Sequence, residues 1–383
     1  MAIKFQNLSQ KIKTVRPEGF KFPAGLSYGS ANNTNAGIST KTKSLGADLS
    51  LNEVSGPTSN SAVTFNSSGT FIPSFTGDVE ILVVGAGGAG GYSGGRGGGG
   101  AGGAGGVKYV SGEPVVMDSS YVVTVGAGGS TGPGYYFAVT SAGRSGSESN
   151  VAPIGIYASG GGGGGQAGGS PGPSYTPFSV GSPGASGGGG TVGNLNTDIY
   201  AGGSANTTGG QLGFAGQPGG ALDFYSSPAY GNGGGGGGAG QAAQARANTE
   251  AASPGGNGVE YSISGTATYY AGGGGGGGAW IANNAPGSAR AQYYIGFGGS
   301  GGGGDGGMWF DPGFLPQPTR LAAGETDSEL TPGVSATINR GGGGGGGGYK
   351  PSIGSSSGGA GGSGVVIFRF NTFQATSNTY IIN

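Results

Sequence analysis

Short apolar runs bounded by turn-forming residues are the first regular feature of the chain. Residues 62–65 (AVTF), 69–73 (GTFIP) and 78–84 (DVEILVV) are rich in β-branched and aromatic residues. Runs of this length and composition predict β-strands. The same pattern predicts further strands at residues 107–110, 121–125 and 364–370.

Glycine-rich runs occupy most of the chain between the predicted strands. The protein has 102 glycines among its 383 residues. Glycine costs about 1 kcal/mol per residue relative to alanine in an α-helix, and it offers a pleated strand no side chain to pack, so neither structure suits these runs. The ten clearest runs lie at residues 85–106, 126–134, 160–169, 184–190, 202–220, 231–240, 272–278, 296–307, 341–348 and 358–364.

An extended left-handed helix with three residues per turn is the conformation we predict for these runs. Its N–H and C=O groups point outward, and glycine lets neighbouring helices approach closely enough to hydrogen-bond sideways. The predicted fold is therefore mainly irregular and β: a sandwich of stacked polyglycine II helices flanked by short β-strands, with little or no α-helix. Collagen would need a strict Gly-X-Y period, and a disordered Gly/Ser-rich chain is the remaining alternative, which the 9% of aromatic residues disfavours.

The residue types that are missing exclude several functions. The chain has no Cys and no His, which excludes disulfides, cysteine-ligated metal sites and catalytic sites of the Ser-His-Asp or Cys-His type. We therefore expect no enzyme activity, no catalytic residue and no cofactor. Acidic residues between 305 and 329 could bind calcium, but solvated loop charge is the simpler interpretation, and no metal site is predicted.

Charge and composition divide the chain into three parts. Residues 1–43 hold seven of the 16 Lys and Arg residues but one acidic residue, Glu18. We predict an N-terminal attachment segment (1–61), a glycine-rich polyglycine II domain with long aromatic loops (62–370) and a C-terminal tail (371–383). The basic segment is expected to dock on a partner protein in preference to nucleic acid. No apolar run approaches the length of a membrane span, so membrane insertion is not expected.

Three motifs in the glycine-rich part resemble the viral glycine-rich domain. Residues 79–88 (VEILVVGAGG) resemble the strand from which that domain enters its first glycine run, and residues 121–129 (YVVTVGAGG) resemble its second element. Residues 361–370 (GGSGVVIFRF) resemble its ending. The domain occurs in structural proteins of phages and other viruses. It is similar to the tail-fibre adhesins of T-even-like phages, in which stacked polyglycine II helices present variable loops to a bacterial receptor.

The resemblance implies a virion structural protein of the tail-fibre adhesin type, assembled in the host cytoplasm. Its expected partners are other virion proteins, through residues 1–61, and a host cell-surface receptor or glycan. Phage fibres are usually homotrimers, whereas adhesin tips of this kind can be single chains, and both states are compatible with the resemblance. The alternatives are a head fibre, decoration or tail protein without a host ligand, and an ice-binding protein, which would need regular rows of Thr or Ala.

Aromatic residues in the long connectors between glycine runs are the candidate ligand-binding residues. Tyr and Trp provide a large contact area at low entropic cost, and recognition commonly resides in loops on a rigid scaffold. Each single aromatic residue could instead shield an edge of the glycine stack. The candidates are Tyr135, Tyr136, Phe137, Tyr269, Tyr270, Trp309, Phe310 and Phe314.

The connectors are also expected to alternate between the two ends of the stack. If residues 202–220 form a single rod, the three longest connectors, at residues 135–159, 241–271 and 308–340, share one end. We predict that this end is the recognition face.

Overall fold

A computed structural model describes the chain between residues 49 and 371, with gaps. All described residues belong to one compact unit, Thr42–Asn383. Their side chains are described from residue 61 onward. The described ranges are 49–54, 60–94, 97–132, 142–167, 180–192, 199–217, 231–245, 251–279, 295–308, 331–350 and 354–371.

Short β-strands and extended glycine-rich segments make up these ranges, which contain no α-helix. A single three-residue 3-10 turn lies at Thr208–Gly210. The strands are β1 (Leu49–Val54), β2 (Asn60–Phe65), β3 (Gly69–Phe71), β4 (Gly77–Val84), β5 (Val107–Val115), β6 (Tyr121–Thr124), β7 (Ser149–Ala152), β8 (Ile156–Ala158), β9 (Val259–Tyr261), β10 (Thr268–Tyr270), β11 (Tyr349–Lys350), β12 (Gly354–Ser355) and β13 (Val365–Asn371).

Two antiparallel sheets contain most of the strands. The larger sheet has the order β1-β2-β13-β4-β5 and the smaller one the order β3-β6-β7-β8, while β9–β10 and β11–β12 are separate hairpins. The last strand, β13, lies between β2 and β4, so it joins the two ends of the domain sequence. The mainly irregular and β fold predicted from the sequence is confirmed.

Aromatic side chains at alternate strand positions fill the space between the two sheets. Phe65, Phe71 and Phe368 come from β2, β3 and β13 and are almost fully buried. The ring of Phe71 stacks on that of Phe368 with centroids 4.3 Å apart, and Phe65 meets Phe368 edge-on at 5.8 Å. The opposite face of the larger sheet is covered by the β9–β10 hairpin, where Ile263 and Tyr270 join its core.

The glycine-rich segments hydrogen-bond sideways with a period of three residues. In residues 85–91, every third N–H group donates to the same neighbouring segment, and the three sets of donors address three different segments. This is the pattern of a helix with three residues per turn. The donors are Gly85, Gly88 and Gly91 to Gly106, Gly103 and Gly100; Ala86 and Ala89 to Ser147 and Arg144; and Gly87 and Gly90 to Gly362 and Gly359.

Segment 98–106 lies at the centre of this arrangement, which we call the glycine bundle. It is hydrogen-bonded to six other segments, so its backbone is surrounded on all sides by other backbones. Stacked polyglycine II helices, as predicted, are therefore the organising element of the fold. The six neighbours are segments 85–91, 159–165, 186–189, 231–237, 274–277 and 341–347.

Close approach of backbones is what makes glycine necessary in the bundle. A Cβ atom on Gly102 would lie 2.0 Å from the carbonyl oxygen of Gly88, and one on Gly98 would lie 2.0 Å from that of Gly277. Real Cβ atoms do not approach other atoms so closely. The bundle does not need glycine in order to adopt a positive φ angle. The described glycines with positive φ lie at turns such as Gly301 and Gly302.

The described segments alternate in direction, which gives the bundle two different ends. Strands β4 to β10 and β13 all join glycine-rich segments at one end, which we call the sheet end. Segment 85–91 runs from there to the opposite end, the distal end, and segment 98–106 returns to the sheet end.

Two features of the fold differ from the sequence prediction. Residues 85–94 and 97–106 form two antiparallel rods, and residues 199–217 also contribute two, on either side of the turn at Thr208–Gly210. The assumption of a single rod at 202–220 was therefore wrong. Strands β1 and β7 to β12 lie in segments for which no strand was predicted, and β1 pairs along its whole length with β2.

Candidate ligand-binding end

The residues that flank the long undescribed stretches between residues 133 and 330 lie at the distal end. The segments on both sides of each long undescribed stretch have their free ends there, as their hydrogen-bond registers require. Examples are Met308 and Thr331, on either side of residues 309–330, whose backbones are hydrogen-bonded to each other. The stretches are 133–141, 168–179, 193–198, 218–230, 246–250, 280–294 and 309–330.

These stretches are rich in aromatic residues. Both tryptophans of the protein, Trp280 and Trp309, lie in them. Six candidate residues fall in the same stretches and therefore outside the described residues: Tyr135, Tyr136, Phe137, Trp309, Phe310 and Phe314.

Two candidate residues, Tyr269 and Tyr270, lie at the sheet end of the molecule. Both are on β10, and Tyr270 is a core residue with 4% of its surface exposed. The guanidinium group of Arg340 lies 5.4 Å above its ring. Tyr269 is 45% exposed. The structure thus separates these two residues from the distal end by the length of the glycine bundle.

The grouping of connectors by end also changes. Because residues 202–220 contain two rods, and the long connectors contain short rods of their own, the single-rod argument does not hold. Residues 280–294, which that argument assigned to the opposite end, start and finish at the same end as residues 309–330. Tyr157 and Tyr261, from two connectors predicted to lie at the recognition face, are instead on strands at the sheet end.

Buried polar side chains hydrogen-bond to backbone groups at the distal end of the bundle, where the rods end. Ser93, Thr331 and Ser356 are 0%, 6% and 9% exposed. Asn232 Oδ1 accepts a hydrogen bond from the N–H of Ala279 at 2.8 Å, and Thr191 Oγ1 donates to the carbonyl of Gly98 at 2.9 Å. Side-chain groups here replace the backbone partners that a longer rod would have, since a buried polar group without a partner is costly.

Two buried apolar pairs complete this distal layer. Met308 packs against Ile295, and Ala279 packs against Tyr349. Each of these residues lies next to a connector or at the start of the β11–β12 hairpin. Adjacent connectors are therefore anchored on common contacts. We define the distal layer as Ser93, Thr191, Asn232, Ala279, Ile295, Met308, Thr331, Tyr349 and Ser356.

Interacting charged and titratable side chains lie on three strands of the larger sheet, β4, β5 and β13. Glu80 on β4 forms an ion pair with Arg369 on β13 and accepts a hydrogen bond from the hydroxyl of Tyr109 at 2.7 Å. Burial raises the pKa of Tyr109, and the hydrogen bond to Glu80 raises it further. Burial also raises the pKa of Tyr261, whose ring centroid lies 5.3 Å from that of Tyr109.

A polar cleft of about 330 Å³ lies beside the turn at residues 300–302. Its carboxylate, Asp305, accepts a hydrogen bond from the N–H of Gly298 at 2.6 Å. Within the described ranges, acidic residues form no group of three that could hold a metal ion. Across the same ranges there is also no apolar helix long enough to cross a bilayer.

Stacked three-fold glycine helices that continue from antiparallel sheets define a polyglycine II scaffold protein. The sequence profile of the glycine-rich domain family matches residues 64–371. This protein belongs to that family. No curated protein matches the chain.

Proposed function

We propose that this protein is a virion structural protein of the tail-fibre adhesin type. In this proposal the glycine bundle is an inert, rigid scaffold, and connectors at its distal end bind a host cell-surface receptor or glycan. Residues 1–61 attach the sheet end to other proteins of the particle.

The polarity of the molecule is the observation that carries the proposal. The described chain begins at Leu49 and ends at Asn371, and both residues lie in the larger sheet. Both tryptophans, by contrast, belong to stretches that depart from the distal end. An attachment end and an aromatic-rich presenting end are what a receptor-binding tip requires, because aromatic loops on a rigid support bind with little entropic loss.

Rigidity of the support favours the same function. Segment 98–106 is fixed by neighbours on six sides, and connectors anchored on such segments have defined starting points. A solvated glycine linker could not hold several connectors in a fixed mutual arrangement. The described connections at the sheet end are mostly tight turns and hairpins, such as those at residues 300–302 and 338–341.

The test is binding of fluorescently labelled protein to a panel of Gram-negative cells, with competition by outer-membrane extracts. Replacing residues 309–330 with a Gly/Ser linker of equal length should remove binding to a strain that the unmodified protein recognises. Tyr269→Ser, an exposed change at the sheet end, is the matched control and should bind normally. Absence of binding to any strain would favour the purely structural alternative, and binding that survives the replacement would exclude this connector.

A further inference from the structure

The outer layer of the glycine bundle has one corner that no described segment fills. Six segments surround segment 98–106, and in this packing each of the six has one outer corner, a position that touches it and two other outer segments. Among the described residues, no segment lies at the corner beside segment 159–165, which we call the open corner. The other five corners are filled by segments 126–132, 199–205, 241–245, 295–300 and 331–337.

Two outer segments, 142–147 and 180–185, flank the open corner. Both are hydrogen-bonded to segment 159–165, one on each side of it. The open corner is therefore bounded on three sides by backbone. The bonds run from the N–H groups of Gly143, Gly146, Ser182 and Ala185 to the carbonyls of Gly164, Gly161, Gly163 and Gly160, respectively.

Unpaired N–H groups of segment 159–165 face the open corner. The direction of the N–H groups along this segment repeats every three residues, as in any helix with three residues per turn. One set donates to segment 85–91 and a second set to segment 186–189. The third set, Gly160 and Gly163, is left for the open corner, and neither N–H group has a partner among the described residues.

The carbonyl groups of Gly143 and Gly146 face the same corner. In the bundle, the N–H and carbonyl groups of one residue address two adjacent segments, as Gly100 does when it donates to segment 159–165 and accepts from segment 85–91. On this flank, segment 85–91 bonds to other carbonyls, so those of Gly143 and Gly146 point to the open corner. Neither of them has a partner within the described part of the chain.

The burial of Gly143 and Gly163 makes these unpaired groups informative. Nearly all buried backbone N–H and carbonyl groups in proteins have a hydrogen-bond partner, because an unpaired one is costly. The open corner offers donors from one segment and acceptors from another, each repeated every three residues. An extended polypeptide with three residues per turn has the matching acceptors and donors.

A corner segment of the same bundle shows what fits such a position. In segment 331–337, Val334 accepts a hydrogen bond from Gly345 of the inner segment and donates one to Asp305 of a flanking segment. These are the two kinds of bond that the open corner leaves unmade. A Cβ atom on Gly333 would lie 2.1 Å from the carbonyl oxygen of Gly345, so glycine is needed where a corner segment faces inward.

We propose that the open corner is a docking site for a glycine-containing segment of another protein, which joins the bundle as a further polyglycine II helix. The docked segment has glycine where it faces segment 159–165 and carries small or polar residues on its outer side. A second copy of this chain is a poorer occupant, because each described glycine-rich segment already has a place in its own bundle. The proposal concerns the side of the bundle and is independent of receptor binding.

Amide hydrogen exchange with single-residue resolution tests the proposal. In the free protein, Gly160 and Gly163 should exchange faster than Gly161 and Gly162, whose N–H groups are bonded. The probe is a synthetic peptide with the sequence of residues 331–337 (TPGVSAT). At about ten times its dissociation constant, it should slow exchange at Gly160 and Gly163 about tenfold. The same peptide with Gly333→Ala is the control and should not protect them.

A substitution in the flank provides a second test. Ser145 is exposed and lies between the two unpaired carbonyls, so Ser145→Trp should block the corner and abolish protection by the peptide. Ser147→Trp is the matched control, because Ser147 is also exposed but its N–H group donates to Ala127 on the other side of the segment. Slow exchange at Gly161 and Gly162 shows that each variant is folded. If Ser145→Trp does not fold, the two peptides alone decide.

Three results would overturn the proposal. Slow exchange at Gly160 and Gly163 in the free protein at every concentration would mean that another part of this chain already fills the corner. Protection that appears only as the protein concentration rises would assign the corner to a second copy. Equal protection by the peptide with Gly333→Ala would show that no closely packed helix is added to the bundle.

Discussion

The sheets and the glycine bundle are two halves of one domain that are stabilised in opposite ways. Between the sheets, buried aromatic and aliphatic side chains supply the stabilising free energy, as at Phe71 and Phe368. In the bundle, backbone hydrogen bonds connect segments that are far apart in sequence, such as Gly102 with Gly344. Each such bond contributes about 1 kcal/mol net, while ordering glycine costs more entropy than ordering any other residue, so the network must be nearly complete.

The two halves should therefore respond in opposite ways to a change of side-chain size. A sheet core is destabilised when atoms are removed, because a cavity remains. The glycine bundle is destabilised when atoms are added, because no space exists for them. Alanine is tolerated where its methyl group has a place, and in segments 85–91 and 98–106 it recurs every third residue, at Ala86, Ala89, Ala101 and Ala104.

The largest effect is expected for Gly102→Ala at the centre of the bundle. The new Cβ would lie 2.0 Å from the carbonyl oxygen of Gly88 and 2.5 Å from its carbon, so backbones must separate. We expect a loss on the order of 5 kcal/mol or more in the free energy of unfolding, from overpacking together with broken backbone hydrogen bonds. Denaturant unfolding followed by circular dichroism measures it.

Ala101→Gly is the matched control, one residue away in the same buried segment. It removes a methyl group and adds chain entropy to the unfolded state, so a loss of about 1–2 kcal/mol is expected. If Gly102→Ala cost no more than Ala101→Gly, close backbone packing would not be the reason for glycine here.

The next largest effect is expected for Phe368→Ala in the sheet core. Phe368 is fully buried and contacts the rings of Phe65 and Phe71. Truncating a buried Phe costs about 3–5 kcal/mol. Val122→Ala, on the exposed face of the smaller sheet, should change stability by no more than about 0.5 kcal/mol. Equal effects of the two changes in urea unfolding would contradict a side-chain core between the sheets.

Strands β2 to β6 and β13 and the class of fold could be predicted from the sequence because they depend on local composition, whereas β1 and β7 to β12 were not predicted. Residues 78–84 and 364–370 are apolar runs with clear boundaries, and they form the adjacent strands β4 and β13. The exclusion of an α-helix from the glycine runs was also correct, since it follows from the intrinsic cost of glycine in a helix.

The number of rods could not be predicted because a turn within a glycine run has no distinct composition. The chain has reversed direction between Gly94 and Gly97, and it also reverses at residues 206–211 (NTTGGQ), yet the sequence at both places resembles its surroundings. One signal was available: the repeat GAGGAGG at residues 85–91 and 100–106 has the three-residue period of the helix. It marks two separate rods within what was taken as one run.

The distal layer was beyond the reach of sequence analysis for a different reason. Ser93 and Ser356 are 263 residues apart, and nothing in their local sequence distinguishes them from other serines. Their role depends on where two rods end relative to each other, which is set by the register of the whole bundle. Thr331 is equally inconspicuous, although a polar residue that ends a long connector beside a glycine run is a pattern worth testing.

The smallest effect, confined to the sheets, is expected for Tyr109→Phe. Burial and the hydrogen bond to Glu80 raise the pKa of Tyr109 in the folded protein, so the folded state holds the hydroxyl proton more tightly than the unfolded chain does. The stabilising effect is complete below the unfolded pKa of about 10 and is lost as pH rises through the higher folded value.

Tyr109→Phe should therefore be less stable than the parent at pH 8, by about 0.5–1 kcal/mol, and the difference should shrink above pH 10. Urea unfolding at pH 8, 10 and 11 measures the trend. In a Glu80→Gln background, the loss of stability caused by Tyr109→Phe should be smaller at every pH, because the charged acceptor of the hydrogen bond is gone. The contribution of burial to the raised pKa of Tyr109 should persist in that background. A difference that stayed constant from pH 8 to 11 would show that this hydroxyl contributes nothing to the pH response, and that the sheets resist alkaline conditions through their apolar core alone.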